Sequence, residues 1–228
     1  MTCMRRFSSI PIVLLTACSL NAMAQNSSDD KVIWGIKGAV DINVPGKWHV
    51  NDVSQKMFRH GLGGTLGAVC NIYLGHDFYL EPGASIFYDT YSYDDFIVIT
   101  DRIEGNIDFN SRIHKIGIRV PVVVGYTFDV LEMFNLNLFT GPELSYAFSG
   151  GIDDKYKNLI SAEDLSLFEP FGDFGLHRRV DCAWKIGMGI PTEYATITIE
   201  GVIGMTDIYK GDWSMKENRV TIGLTHYF

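Results

Sequence analysis

Eight stretches of this chain alternate apolar and polar side chains, and the connections between them are short and long by turns. The stretches are Val32 to Asn43, Phe58 to Tyr73, Phe78 to Tyr91, Ile113 to Phe128, Met133 to Phe148, Arg178 to Ile190, Tyr194 to Gly204 and Asn218 to Phe228. Connections two, four and six, Leu74 to Asp77, Asp129 to Glu132 and Pro191 to Glu193, are short. The others, Val44 to Met57, Ser92 to Arg112, Ser149 to His177 and Met205 to Glu217, are long. A period of two means strands, because successive Cβ atoms of a strand point to opposite faces. An even number of strands with every long loop at one end is the pattern of a single-chain membrane barrel, and a sandwich has no reason to sort its loops this way. The sequence predicts an all-β fold, an eight-stranded antiparallel up-and-down transmembrane β-barrel over residues 32–228. Short periplasmic turns would close one end and long extracellular loops the other.

The faces of the strands sharpen this. In the fourth, Ile116, Ile118, Val120, Val122, Val124 and Tyr126 share the side expected to meet lipid, and Lys115, Gly117, Arg119, Pro121, Val123 and Gly125 share the other. The sixth gives Val180, Cys182, Trp184, Ile186, Met188 and Ile190 against Asp181, Ala183, Lys185, Gly187 and Gly189. The same parity turns Lys37, Asp41, Glu81, Glu143, Glu200 and Arg219 inward, so a lumen network of Lys37, Asp41, Glu81, Lys115, Arg119, Glu143, Asp181, Lys185, Glu200 and Arg219 is expected. Five acids facing five bases would pair in a small enclosed space, where an unpaired charge is costly. Inward glycines such as Gly117, Gly125, Gly141, Gly187 and Gly189 suit a narrow, side-chain-filled lumen. Aromatic residues fall near the turns (Phe78, Tyr79, Phe128, Phe134, Tyr194, Tyr227, Phe228) and near the loops (Trp34, Tyr88, Tyr91, Tyr146, Phe148), as two interface girdles would. Cys70 and Cys182 lie outward on strands expected on opposite sides of the barrel, too far apart for a disulfide.

Both termini fit export to an outer membrane. Arg5 and Arg6 precede an apolar run from Phe7 to Ala17, and Ala22-Met23-Ala24 stands before Gln25, the layout of a cleaved signal peptide over 1–24 followed by a short segment 25–31. Leu15-Thr16-Ala17-Cys18 offers a second reading, lipoprotein processing at Cys18. In the last strand Leu224, His226 and Phe228 share the lipid face, and these three are the expected signal to the barrel assembly machinery.

Composition excludes several classes of function. Without Arg5 and Arg6 the chain keeps 17 basic residues against 27 acidic ones, which disfavours nucleic acid as a partner. The glycine cluster from Gly61 to Gly67 misses both nucleotide-loop spacings, and an acidic segment with Asp153, Asp154, Glu163, Asp164, Glu169 and Asp173 lacks the ligand spacing of a calcium loop. Within that segment Ser161-Ala162-Glu163-Asp164 resembles a helix start. His49, His60, His114 and His177 lie toward the loop end with Ser54, Ser92 and Asp173, yet nothing fixes a nucleophile, base and orienting acid at a catalytic spacing. Loop histidines are expected to be solvated. No cofactor or metal is expected.

Three segments, Ile116-Gly117-Ile118-Arg119-Val120-Pro121-Val122-Val123-Val124-Gly125-Tyr126, Phe139-Thr140-Gly141-Pro142-Glu143-Leu144 and Asp181 through Gly189, resemble the PorT-type outer-membrane β-barrel family. The resemblance implies an outer-membrane barrel and, for one branch, a place in a dedicated secretion system. The functional expectation is a non-enzymatic outer-membrane barrel among lipid and lipopolysaccharide, presenting its loops to a protein partner or serving envelope structure. The alternatives are an accessory subunit of a secretion or envelope system, an enzyme at the rim acting on lipid A or peptide, and a soluble lipocalin-like barrel.

Overall fold

The computed structural model describes residues 32–50, 53–56, 58–93, 96–97, 106–107, 112–130, 133–153, 170–171, 177–210 and 213–228. The expected signal peptide, Cys18 and the helix at Ser161 lie outside these residues, as do Asp154, Glu163, Asp164, Glu169 and Asp173 of the acidic segment. Eight long strands form the fold: β1 (Val32–Pro45), β2 (Gly61–Gly75), β3 (Phe78–Tyr93), β4 (Arg112–Val130), β5 (Phe134–Asp153), β6 (Val180–Pro191), β7 (Thr196–Gly204) and β8 (Glu217–Tyr227). Each pairs with the next in the chain, and β8 returns to β1 with the register Gly35↔Tyr227 through Pro45↔Glu217, so the sheet closes on itself. The result is the expected closed up-and-down barrel, which leaves no sheet edge exposed.

The turns sit at one end with the start of β1 and the end of β8. Between β2 and β3 the two-residue turn His76-Asp77 has positive φ at both positions, 51° and 64°, the twist that joins antiparallel strands tightly. At the other end, part of the first connection forms a small three-stranded sheet, Trp48–Val50 pairing with both Val53–Gln55 and Trp213–Ser214 of the last. A short strand, Phe58–Arg59, runs ahead of β2 and pairs with β3. Strands β4 and β5 have 19 and 20 residues, well beyond the roughly 9–11 that cross a bilayer. β5 continues past Phe148, where the sequence suggests a loop, because an irregularity between Ala147 and Ser149 resets the register and pairing with β4 runs on to Asp153↔Arg112.

Burial follows parity. Ile116, Ile118, Val120, Val122 and Val124 are exposed on β4, as are Trp184, Ile186, Met188 and Ile190 on β6 and Val220, Ile222 and Leu224 on β8. Their neighbours Lys115, Arg119, Val123, Ala183, Lys185, Thr221 and Thr225 are buried. An apolar exterior around a charged interior inverts the ordinary soluble arrangement. Cys70 and Cys182 are half-buried and free. The girdles need correction, because Tyr79 and Tyr91 are buried in the lumen and the Tyr227 hydroxyl donates inward to Glu81 at 2.6 Å. Trp34 belongs at the turn end, where its carbonyl accepts the Phe228 N–H at 2.9 Å.

Candidate functional site

The lumen is filled in three layers. Nearest the turns Tyr79, Val123 and Phe139 pack together. Two inward glycines make this possible: a Cβ on Gly125 would stand 2.1 Å from the Tyr79 ring, and one on Gly187 2.5 Å from the Phe139 ring. Gly187→Val is expected to lower stability by about 1–3 kcal/mol through overpacking. Adding Phe139→Leu should recover much of that loss in urea titrations of the folded barrel, because the two positions share one space.

The middle layer is ionic. Arg119 reaches three acids: Nη1 contacts Asp41 at 2.8 Å, Nη2 pairs with Asp89, and Nε lies 3.7 Å from Glu143. Its guanidinium also lies over the Phe87 ring, 4.1 Å from the centroid. Arg219 joins Glu143 at 2.5 Å and Asp41 at 3.4 Å, while Lys185 bridges Glu143 at 3.0 Å and Glu200 at 2.9 Å. Lys37 caps Glu200, and Lys115 pairs with Glu217. Hydroxyls complete the shell of Asp41: Thr65 and Thr221 each donate to it at 2.5 Å. Eight of the ten residues expected in this network are therefore in ion pairs. Glu81 instead accepts from Tyr227 and, at 3.4 Å, from Asn71, and Asp181 accepts from the Thr206 hydroxyl at 2.5 Å. The sequence reading missed Asp89 and Glu217. Asp89 shares the parity of Glu81 on β3, and Glu217, which the sequence places at the end of the last connection, opens β8.

Toward the loops Phe58, Tyr91, Ile113, Ile208, Tyr209 and Met215 form an apolar cap. His177 sits in it, 5% exposed, and this corrects the expectation of a solvated loop histidine. Its ring packs edge-on against Tyr209 and Phe171, and Nδ1 lies 3.5 Å from the Tyr91 hydroxyl. His177 belongs to the connection before β6, where burial, reinforced by Lys115 and Lys210, pulls its pKa down from 6.5 to about 3. The native state thus refuses a proton that the unfolded chain accepts. Stability should be independent of this group above about pH 6.5 and fall below it by up to about 1.4 kcal/mol per pH unit until about pH 3. A His177→Gln variant measured beside the parent in urea should lose that share of the acid sensitivity.

The remaining catalytic candidates do not converge. His49 pairs in register with Ser54 and Ser214, but the Ser214 hydroxyl donates to Asp207 at 2.6 Å rather than serving a histidine. His60 is exposed at the loop end, His114 stacks on Tyr88 with centroids 6.2 Å apart, and Ser92 stands opposite Arg112. At the far end of the barrel His226 Nδ1 meets the Tyr194 carbonyl at 2.6 Å. Among the described residues no group of three or more His, Cys, Asp or Glu is arranged to hold a metal ion. Among the described residues two lumen cavities of about 30 Å³ each are found, one beside Lys37, Glu81 and Glu200, the other beside Lys115, His177 and Asp181. Arg119, Glu143 and Arg219 line both and stand between them. Cavities of that size hold water molecules, not an organic ligand.

No family model and no curated protein sequence matches this chain. Among solved structures it is similar to the outer membrane protein OprG from Pseudomonas aeruginosa, with 12% identity, a TM-score of 0.46 and coverage of 87% of this chain and 96% of that one. It is also similar to the outer membrane protein AlkL, solved in DMPC bilayers, with 9% identity, a TM-score of 0.46 and coverage of 90% and 94%. Neisserial surface protein A gives 11% identity, a TM-score of 0.44 and coverage of 86% and 97%.

Proposed function

We propose that this protein is a non-enzymatic integral outer-membrane β-barrel with a closed lumen, which presents its long connections outside the cell to a partner or to the envelope itself. One observation carries the reading: exposed aliphatic side chains ring the barrel while charged ones turn inward, for example Ile197 and Ile199 against Glu200 on β7. Water would favour the opposite distribution; hydrocarbon favours this one. The layered lumen argues against a transport pore, and the scattered histidines argue against a rim enzyme. Export by a cleaved signal peptide, recognition of Leu224, His226 and Phe228 by the assembly machinery, and a place in the PorT-type family or a secretion system belong to the same proposal.

Fractionation of cells followed by electrophoresis before and after boiling tests it. An outer-membrane band that changes mobility on boiling supports the reading. A soluble band indifferent to heat refutes it and restores the lipocalin-like alternative. In planar bilayers the purified protein should show no stepwise conductance.

A further inference from the structure

Two of the strand prolines, Pro45 and Pro191, close β1 and β6. Three others stand inside neighbouring strands, Pro82 in β3, Pro121 in β4 and Pro142 in β5. Proline has no N–H to give to a ladder and ordinarily keeps to sheet edges and bulges, yet a closed barrel has no edge to offer it. The register shows where each loss falls. Pairing of β2 with β3 lapses at Cys70 and Asn71, opposite Pro82 and Glu81. Pairing of β3 with β4 lapses at Gly83 and Ala84, opposite Pro121 and Val120, and that of β4 with β5 at Val122 and Val123, opposite Pro142 and Gly141. In an antiparallel ladder a residue exchanges both of its bonds with one neighbour, so each proline fails one partner. The carbonyls of Cys70, Gly83 and Val122 thus face a ring nitrogen that carries no hydrogen.

Pro82 pairs with Val122, next to Pro121, and Pro121 pairs with Glu143, next to Pro142, so the three breaks run as one diagonal across the wall from β2 to β5. The ladders β5–β6, β6–β7, β7–β8 and β8–β1 keep every rung between their first pair and their last. The first lumen cavity lies against the broken part, since Val69, Glu81, Gly83, Pro121 and Val123 line it. Ala68 and Ala84 line it as well and are exposed on the outer face, so the wall there is one backbone thick with only methyl groups outside. The Val122 carbonyl leans toward the lumen: a Cβ on Gly141, an inward position, would stand 2.1 Å from its oxygen.

We infer that this diagonal is a hydrated break in the wall, at which water from the lumen stands in for the missing N–H groups and the strands part more readily than along the unbroken ladders. The lipid around it rests on the outer-membrane reading above. Hydrocarbon offers an open carbonyl no donor, so the carbonyls must be served from the inner side. A cavity of about 30 Å³ has room for water, and Lys37, Glu81 and Arg119 in its lining favour water over an empty void. With fewer rungs to hold it, the wall from β2 to β5 is the yielding part of the cylinder, and the wall from β5 round to β1 is the rigid part.

Amide hydrogen exchange in phosphatidylcholine nanodiscs, read residue by residue by NMR, tests this. The amides of Cys70, Gly83 and Val122 should exchange roughly tenfold faster than those of Lys185 and Val202, a pair one row from the level of Pro142 and Trp184, because one bond fewer holds each of them. Pro82→Ala and Pro142→Ala, both on the outer parity, supply the missing N–H one ladder at a time. The first should slow exchange at Cys70 and leave Val122 as it was, and the second should do the reverse. Three amides as slow as Lys185 and Val202 overturn the break, and so does fast exchange that neither variant slows. The comparison within the parent decides the matter even where a variant does not fold. A chain that never enters the discs refutes the membrane reading, whereas one that enters and exchanges uniformly refutes the break alone.

Discussion

Replacing Arg119 with methionine should lower the unfolding free energy of the barrel by about 3–5 kcal/mol, the cost of leaving buried charges without a partner. Arg119 is the hub of the middle layer, holding Asp41, Asp89 and Glu143 from three other strands. Methionine fills much of the same volume, so the loss reports charge and not a cavity. Arg119→Lys should fall between parent and methionine variant, since one ammonium cannot fork between Asp41 and Asp89 as the guanidinium does. Adding Asp41→Asn and Asp89→Asn to the methionine variant should recover part of the loss, because the stranded carboxylates are then gone. Urea titrations of the folded barrel, followed by tryptophan fluorescence, measure all of these. An Arg119→Met barrel as stable as the parent would mean that the ion pairs contribute nothing to holding the lumen.

The second large effect lies on the opposite face. Ile186, in the middle of β6 and exposed between Trp184 and Met188, should cost about 2–4 kcal/mol when changed to arginine in a bilayer, because a charge at mid-depth must be dragged toward the interface or left in hydrocarbon. On a water-soluble barrel the same exposed substitution would fall within about 0.5 kcal/mol of neutral. Denaturant unfolding from lipid vesicles therefore separates the two environments with one residue. Ile186→Ala serves as the control for lost side-chain area.

Much of this architecture was legible because the strands keep parity so strictly, apolar outside and charged or small inside. Where each strand must be apolar on one side, the run from Lys115 to Val124 can be read one residue at a time, and the eight strands and their order followed. The errors arose where a second rule overrode parity. Tyr79 and Tyr91 share the inward side of β3 with Glu81 and Asp89, while the tendency of rings near strand ends to lie at the interface points them to girdles. Parity alone would have placed both, and would have added Asp89 to the network. His177 is a different case. Its backbone pairs with Tyr209 of the last connection in an isolated bridge, and a single paired residue in a long connection has no period to read. The extension of β5 past Phe148 was hidden for a related reason, as Ser149-Gly150-Gly151 has the composition of a turn while its backbone stays paired with β4.

The contacts between β1 and β8 bear on how the cylinder comes together. Asp41 of β1 accepts from Thr221 and meets Arg219 of β8, partners 180 and 178 positions away along the chain. Until the first and last strands meet, this carboxylate and that guanidinium have no counterpart across the seam, and a sheet open at that point would show them to its surroundings. A slip of β8 by one residue would be as bad, turning Arg219 and Thr221 to the outer face and Val220 and Ile222 to the inside. The seam thus acts as a latch fastened from within, which only one alignment of the final strand can close.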